Sequence, residues 1–305
     1  MLFFLRIVTF ISGKSLYDRI KLVYEMINIV FSGNYKVFDG IMINLLSLIK
    51  HTRRSVCVYI LTMDLKKYNK DFIPINMKKV HFLEKILKEV NQNRKVIKID
   101  LTEKFLKDYE DSYVLKSEFT PYALLRLYID IIDKMPNKVI YLDTDTIINN
   151  DLNELYNIDI SKYELGVVKD LFNWFYIYRW KYCKNKESYF NFGVLLINVE
   201  KINETKLFTR AREFLKTHKR HYMDPDALNF LVKNKIMLPE KFNVKDKYYD
   251  EIVVHHFCNV RKKGNWFHRT KPWEVNIVKK RMHAYDDILD KYLELKEKMD
   301  DIELK

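Results

Sequence analysis

Val139-Ile140-Tyr141-Leu142 is an unbroken apolar run, closed in front by Pro136-Asn137 and behind by Asp143. A strand with apolar side chains at every position has no face to give to water, so it belongs inside a sheet covered by helices on both sides. Ile27 to Phe31, Val56 to Leu61, Val96 to Ile99, Leu165 to Val168 and Val194 to Ile197 are further β-branched runs, and Ile252-Val253-Val254 is a late one. Between them apolar residues recur at helical spacing, as in Phe82, Ile86, Leu87 and Val90, or Leu207, Phe208, Ala211, Phe214 and Leu215. A further helix is expected to begin near Asp39. Strands alternating with helices of this length predict βαβ units, hence an α/β fold with a mostly parallel central sheet and flanking helices.

Thr120-Pro121 reads as an N-cap with proline at the first helical position, and Leu124, Leu127, Tyr128, Ile131, Ile132 and Met135 continue the period. That helix is expected to lay one face on the sheet. A chain of 305 residues, 48% of them hydrophobic, has ample material for a core. With only 6 Gly and 6 Pro it offers no linker and no repeat, so one large unit with appendages is expected. Met1 to Ile11 is apolar apart from Arg6 but falls short of the roughly 20 residues that span a bilayer. Residues 1–25 are therefore read as an N-terminal helical segment, 26–273 as the main domain, and 274–305 as a charged C-terminal helix. In the last, Tyr285, Ile288, Leu289, Tyr292 and Leu295 form one stripe, which is expected to pack on the domain.

The net charge of +13 points to a polyanionic partner such as an anionic membrane surface, a nucleic acid or a phosphorylated small molecule, although a lysine-rich composition alone produces the same charge. Cys57, Cys183 and Cys258 are odd in number and far apart, which argues against a disulfide framework and for a reducing compartment, the cytoplasm. No Gly-x-x-x-x-Gly-Lys-Ser/Thr and no Gly-x-Gly-x-x-Gly occurs, which removes the usual warrant for a P-loop or dinucleotide-binding enzyme.

In open α/β sheets ligands sit beyond the carboxyl ends of the strands, and Asp143 stands there, directly after the most buried run. Asp145 follows at i+2, and in extended chain those two side chains share a direction, so both carboxylates can approach one divalent cation such as Mg²⁺ or Mn²⁺. His255-His256 offers a third ligand; the two point to opposite faces if still in a strand, so only one can serve. An imidazole beside two carboxylates tilts the choice to Mn²⁺. Lys271 follows shortly and can neutralise a diphosphate. Gly33, Gly193 and Gly264 fall beside polar strand ends, where backbone turns or approaches a ligand.

Ser117 to Asn150 (SEFTPYALLRLYIDIIDKMPNKVIYLDTDTIINN), Tyr189 to Asn198 (YFNFGVLLIN), Asp224 to Asn229 (DPDALN), and a His-Phe followed by Lys-Pro-Trp resemble, in this order, glycosyltransferase family 8. The resemblance runs from about Ile27 to Trp273. It implies a GT-A fold, Mn²⁺, a UDP-sugar donor such as UDP-glucose or UDP-galactose, a glycan, lipopolysaccharide or other hydroxyl acceptor, and transfer with retention. By motif it implies Asp143, Asp145 and His256 as metal ligands with Thr144 between them at the nucleotide, and Lys271 on the diphosphate. It places Arg126 near the donor sugar and phosphates, Asn34 and Tyr35 at the uridine, and Asp170, Asn191 and Asp224 facing the donor sugar. Where many members carry Asp-Gln-Asp this chain has Asp224-Pro225-Asp226, which weakens any covalent mechanism through that position. An apparent insertion over Val260 to Thr270 lengthens the spacing from histidine to lysine, and the pair of aspartates frequent before Asn34 is missing.

Plainer readings stand beside these: Arg126 can pair with Asp130 one helical turn on, and Asn191 can be a turn residue. At the level of function, the alternating aromatic and cationic residues of Trp174 to Tyr182 suit a single-strand nucleic-acid or acidic-surface module as well as a sugar-acceptor loop. The same metal carboxylates also suit a nucleotidyltransferase. The transferase reading is preferred, with nucleic acid the weaker partner.

Overall fold

The computed structural model describes residues 26–116, 120–170, 189–220, 222–245, 248–258, 261–263, 266–268 and 270–303. The expected N-terminal segment, the aromatic stretch 174–182, Cys183 and Gly264 lie outside them. Seven strands form the central sheet: β1 (Ile27–Ser32), β2 (Val56–Thr62), β3 (Lys95–Asp100), β4 (Lys138–Leu142), β6 (Leu165–Lys169), β7 (Phe190–Asn198) and β8 (Lys235–Leu238), in the order β3-β2-β1-β4-β7-β6-β8. Two further strands, β5 (Thr146–Ile148) and β9 (Val254–His256), pair as a separate antiparallel ribbon. In the main sheet β7 alone runs against its neighbours β4 and β6, and the other pairings are parallel. The mostly parallel sheet expected from the buried apolar runs is therefore present.

The sheet divides the interior into two cores, and β4 shows how. Ile140 and Leu142 belong to one core with the helices Phe38–His51 and Met77–Val90, while Val139 and Tyr141 belong to the other with the helices Leu207–Thr217 and Met223–Leu231. Alternate side chains of one strand point to opposite faces, so an all-apolar run feeds both layers. Tyr285, Ile288, Leu289 and Tyr292 join the first core, and Lys296 reaches Asp39 at 2.6 Å, so the stripe of the Asp286–Glu303 helix packs on the Phe38–His51 helix. Among the described residues no helix is long and apolar enough to cross a membrane, and Cys57 and Cys258 are free thiols.

The segment after Thr120 differs from its expectation. It is wound as a 3-10 helix over Pro121–Ile131, with the Thr120 hydroxyl accepting from the Tyr122 N–H. Tyr122, Leu124, Leu125, Arg126, Leu127, Tyr128 and Ile129 are all buried, so no single stripe faces inward. Packing on several sides, rather than local propensity, sets the tighter winding with its i, i+3 rows.

Behind this helix Arg212 grips Asp130 with two nitrogens, at 2.6 and 3.2 Å, and also donates to the Leu127 carbonyl. Both side chains are almost fully buried. Removing one member of such a pair strands the other charge in a dry site. Arg212→Ala is expected to cost about 3–5 kcal/mol of unfolding free energy in urea titrations; a loss below about 1 kcal/mol would show that the ion pair does not hold the helix.

Candidate active site

The Asp143 backbone N–H donates to the Gly193 carbonyl at 2.8 Å, so the first residue beyond β4 is still tied to β7. The chain then leaves the sheet. Asn44 clamps the exit, donating to the Thr146 carbonyl at 2.6 Å and accepting from the Thr146 hydroxyl at 3.1 Å, while that hydroxyl also reaches the Asp143 carbonyl at 2.9 Å. In the β5–β9 ribbon Thr146 stands opposite His256, and the Phe257 N–H donates to the Asp145 carbonyl at 2.8 Å. The His256 Nε2 consequently lies 3.2 Å from Asp145 Oδ1 and 3.7 Å from Asp143 Oδ2. One donor atom from each of the three lies within 4.8 Å of the others. His255 faces away, its Nδ1 2.8 Å from the Tyr285 hydroxyl, so the structure brings His256 and not His255 to the carboxylates.

Cations answer the charge of these carboxylates. Asp145 is buried, which alone would raise its pKa, but His256 and Lys271 hold its carboxyl well below the ordinary range. Lys271 pairs with the Asp145 Oδ2 that His256 does not use. Burial alone would push the His256 imidazolium down; Cys258 and Asp145 beside it carry it upward instead. On the other side Arg126 lies 3.1 Å from Asp143 Oδ1 and 3.0 Å from Asp224 Oδ2, and it donates to the Phe192 carbonyl at 2.8 Å. Its guanidinium carbon sits 4.2 Å from the centre of the Tyr141 ring. The plainer pairing of Arg126 with Asp130 does not occur, because Asp130 belongs to Arg212. Burial pushes the Asp224 carboxyl up to about 6, with Arg126 opposing and Asp143 adding to the rise.

Backbone geometry on β7 makes room for the histidine. A Cβ at Gly193 would overlap the His256 imidazole at three ring atoms. Opposite β6 the register jumps from Val167–Leu195 to Val168–Asn191, so residues 192–194 bulge where the strand meets the site. Asn191 is thus a strand residue beside a bulge rather than a turn residue. Its Oδ1 accepts from the Gly193 N–H at 2.8 Å and from Asn243 Nδ2 at 2.8 Å, and Asn243 Oδ1 lies 3.0 Å from His256 Nδ1.

The remaining expected site residues lie at varying removes. A Cβ at Gly33 would lie 4.0 Å from the Thr144 methyl, so the loop after β1 runs beside the Asp143–Asp145 turn. In that loop Asn34 caps a short 3-10 turn by accepting from the Lys36 N–H and donates to the Asp71 carbonyl at 3.1 Å, while Tyr35 is half-buried. Asp170, just beyond β6, is paired with Lys245. Backbone hairpin strands at Arg261–Lys263 and Trp266–His268 occupy part of the apparent insertion. Sequence reading missed Asn243 and Lys245: both follow a short helical turn with no periodicity or motif to mark them. It also missed Asn229, whose amide pairs with both the N–H and the carbonyl of Phe190 and so fixes the DPDALN helix to the start of β7.

Two carboxylates and one imidazole, with the Gly193 gap that admits the ring, fit a divalent cation that accepts mixed oxygen and nitrogen donors. Comparison with known proteins agrees with an enzyme built on this frame. A Haemophilus influenzae protein assigned to the glycosyltransferases is 28% identical over 285 residues, covering 87% of this chain and 81% of its own length. The lipopolysaccharide 1,2-glucosyltransferase of Escherichia coli is 23% identical over 266 residues, covering 82% and 73%. The galactosyltransferase LgtC, solved with donor and acceptor sugar analogs, shares the fold at a TM-score of 0.63 and 20% identity, over 88% of this chain and 95% of that one. The architecture is therefore the GT-A fold. Residues 26–276 match the model of Glycosyl transferase family 8, and the chain belongs to that family.

Proposed function

We propose that this glycosyltransferase moves a hexose, glucose or galactose, from a UDP-sugar to a hydroxyl of a glycan or lipopolysaccharide acceptor, with retention of configuration. Mn²⁺, or Mg²⁺ in its place, would be held by Asp143, Asp145 and His256. The observation that carries the reading is the convergence of these three donor groups beyond the carboxyl end of β4 in a family 8 chain. The sugar specificities of the Escherichia coli glucosyltransferase and of LgtC support a hexose donor. When bound, the cation supplies Lewis-acid stabilisation for charge on the departing diphosphate.

The chain's own residues do the rest. Lys271 presents its ammonium at the Asp145 edge, where the leaving diphosphate gains charge. Arg126 stays cationic between two acids and keeps Asp143 and Asp224 from repelling each other. Asn34 and Tyr35, on the loop that runs beside Thr144, face the uridine, with Tyr35 offering a ring to stack. Asp170, Asn191 and Asp224 border the donor sugar, and the acceptor hydroxyl attacks from the face the nucleotide leaves. Pro225 supplies no amide, so no covalent step is assigned to it. The charge of +13 suits docking of this enzyme at the anionic cytoplasmic face of a membrane.

Screening UDP-sugars for Mn²⁺-dependent hydrolysis tests the reading, and protection against thermal unfolding by NTPs but not by UDP-sugars would favour a nucleotidyltransferase instead. Replacing both Asp143 and Asp145 with Asn is expected to lower UDP release by more than about 100-fold; full activity in that variant would sink the proposal. Gly193→Ala forces the imidazole out of its slot and is expected to remove the Mn²⁺-induced rise in melting temperature; an undiminished rise would show that His256 is not a ligand.

A further inference from the structure

The Gly193 backbone N–H can only donate, and it donates to one oxygen of the Asn191 side chain. That contact settles which end of the Asn191 amide is Oδ1. The neighbouring group that also contacts this oxygen, on Asn243, must then be the amide nitrogen, at 2.8 Å. The other end of the Asn243 amide, its Oδ1, accordingly faces His256 Nδ1 at 3.0 Å and can only accept, so Nδ1 carries a proton. The ring is left with Nε2 toward Asp145 and Asp143. Orientation thus passes without ambiguity from a strand backbone, through two amides, to the metal-facing nitrogen. Asn243 is 2% exposed, and among the described residues its side chain makes no other hydrogen bond.

We infer that Asn243 is a positioning residue with two outputs: it fixes the tautomer and tilt of His256, and by donating to Asn191 Oδ1 it fixes the orientation of the amide that the proposed function sets beside the donor sugar. The inference rests on the proposed function for its metal and its donor. A hydrogen-bond acceptor behind a ligating imidazole typically governs metal affinity by 10–100-fold. What is specific to this chain is that the same amide also saturates Asn191 Oδ1, so cation binding and donor orientation share one side chain.

The two outputs separate by substitution. Asn243→Leu removes both and is expected to weaken Mn²⁺ binding about 10–100-fold, measured from free Mn²⁺ by electron paramagnetic resonance. Asn243→Asp keeps the acceptor for Nδ1 but loses the donor to Asn191; Mn²⁺ affinity is expected to stay at or above the wild-type value while kcat for UDP-sugar hydrolysis falls. In a His256→Gln background, Asn243→Leu is expected to have no further effect on Mn²⁺ affinity, since it acts through the ring. Equal losses of Mn²⁺ affinity in the two Asn243 variants, the result of a merely structural role, would overturn the inference, as would an unchanged affinity in a folded Asn243→Leu protein. If the wild type binds no Mn²⁺ the proposed metal site fails, and Asn243 is judged on histidine ¹⁵N spectra of the metal-free protein. A slowly exchanging Nδ1 proton of His256 that Asn243→Leu abolishes supports the inference; no bound Nδ1 proton in the wild type, or no change in the variant, refutes it.

Discussion

Three acidic side chains, Asp143, Asp145 and Asp224, converge at the end of one buried strand, and their mutual repulsion is the constraint the surrounding structure answers. Left alone, such a cluster would protonate or splay apart. Arg126 is spent on Asp143 and Asp224, and Lys271 with His256 on Asp145. Each of these cations comes from a different element: the Pro121–Ile131 helix, the segment before the C-terminal helices, and the β9 strand. The site is consequently a place where distant parts of the chain are tied together by charge.

This explains why the helix that delivers Arg126 is so thoroughly buried. A guanidinium stacked at 4.2 Å on Tyr141 and bonded to the Phe192 and Ala123 carbonyls leaves almost no freedom for its backbone. Its neighbour one turn on, Asp130, is held from the opposite side by Arg212. The two arginines therefore anchor the helix at two points, one toward the reactive carboxylates and one toward the Leu207–Thr217 helix. Tertiary contacts of that kind override the preference for ordinary α-helical winding.

How far the sequence predicts the structure depends on the range of the interaction concerned. The apolar runs identify the sheet because burial on two faces is a local compositional fact, and Asp143 is legible as the residue that ends the most buried of them. The residue pattern left His255 and His256 open, and only the family resemblance pointed to His256, since the choice turns on the register of a three-residue ribbon, Thr146 opposite His256, that leaves no periodic trace. Arg126 had Asp130 within reach in its own helix, and the distant Arg212, which takes Asp130, decides against that pairing. Asn243 carries no signal because its meaning comes wholly from residues 52 positions before it and 13 after it.

The DPDALN motif shows how one short helix serves the site without a reactive group at its centre. Pro225 lies in the first helical turn, where a missing N–H leaves no intrahelical bond unmade, so the ring is tolerated there. Its carbonyl accepts from Asn229, whose amide also spans the Phe190 backbone, while Tyr189 contacts Asp226 at 3.2 Å. These bonds pin the helix to the start of β7, and the bulge over residues 192–194 then carries that strand on to the His256 slot at Gly193. Asp224 is the one acidic group of the motif turned onto Arg126, with a carboxyl that burial raises toward neutrality. Its charge is therefore supported chiefly by that arginine, and anything that draws Arg126 toward Asp143 alone would favour the protonated form of Asp224, linking the state of one acid to the occupancy of the other.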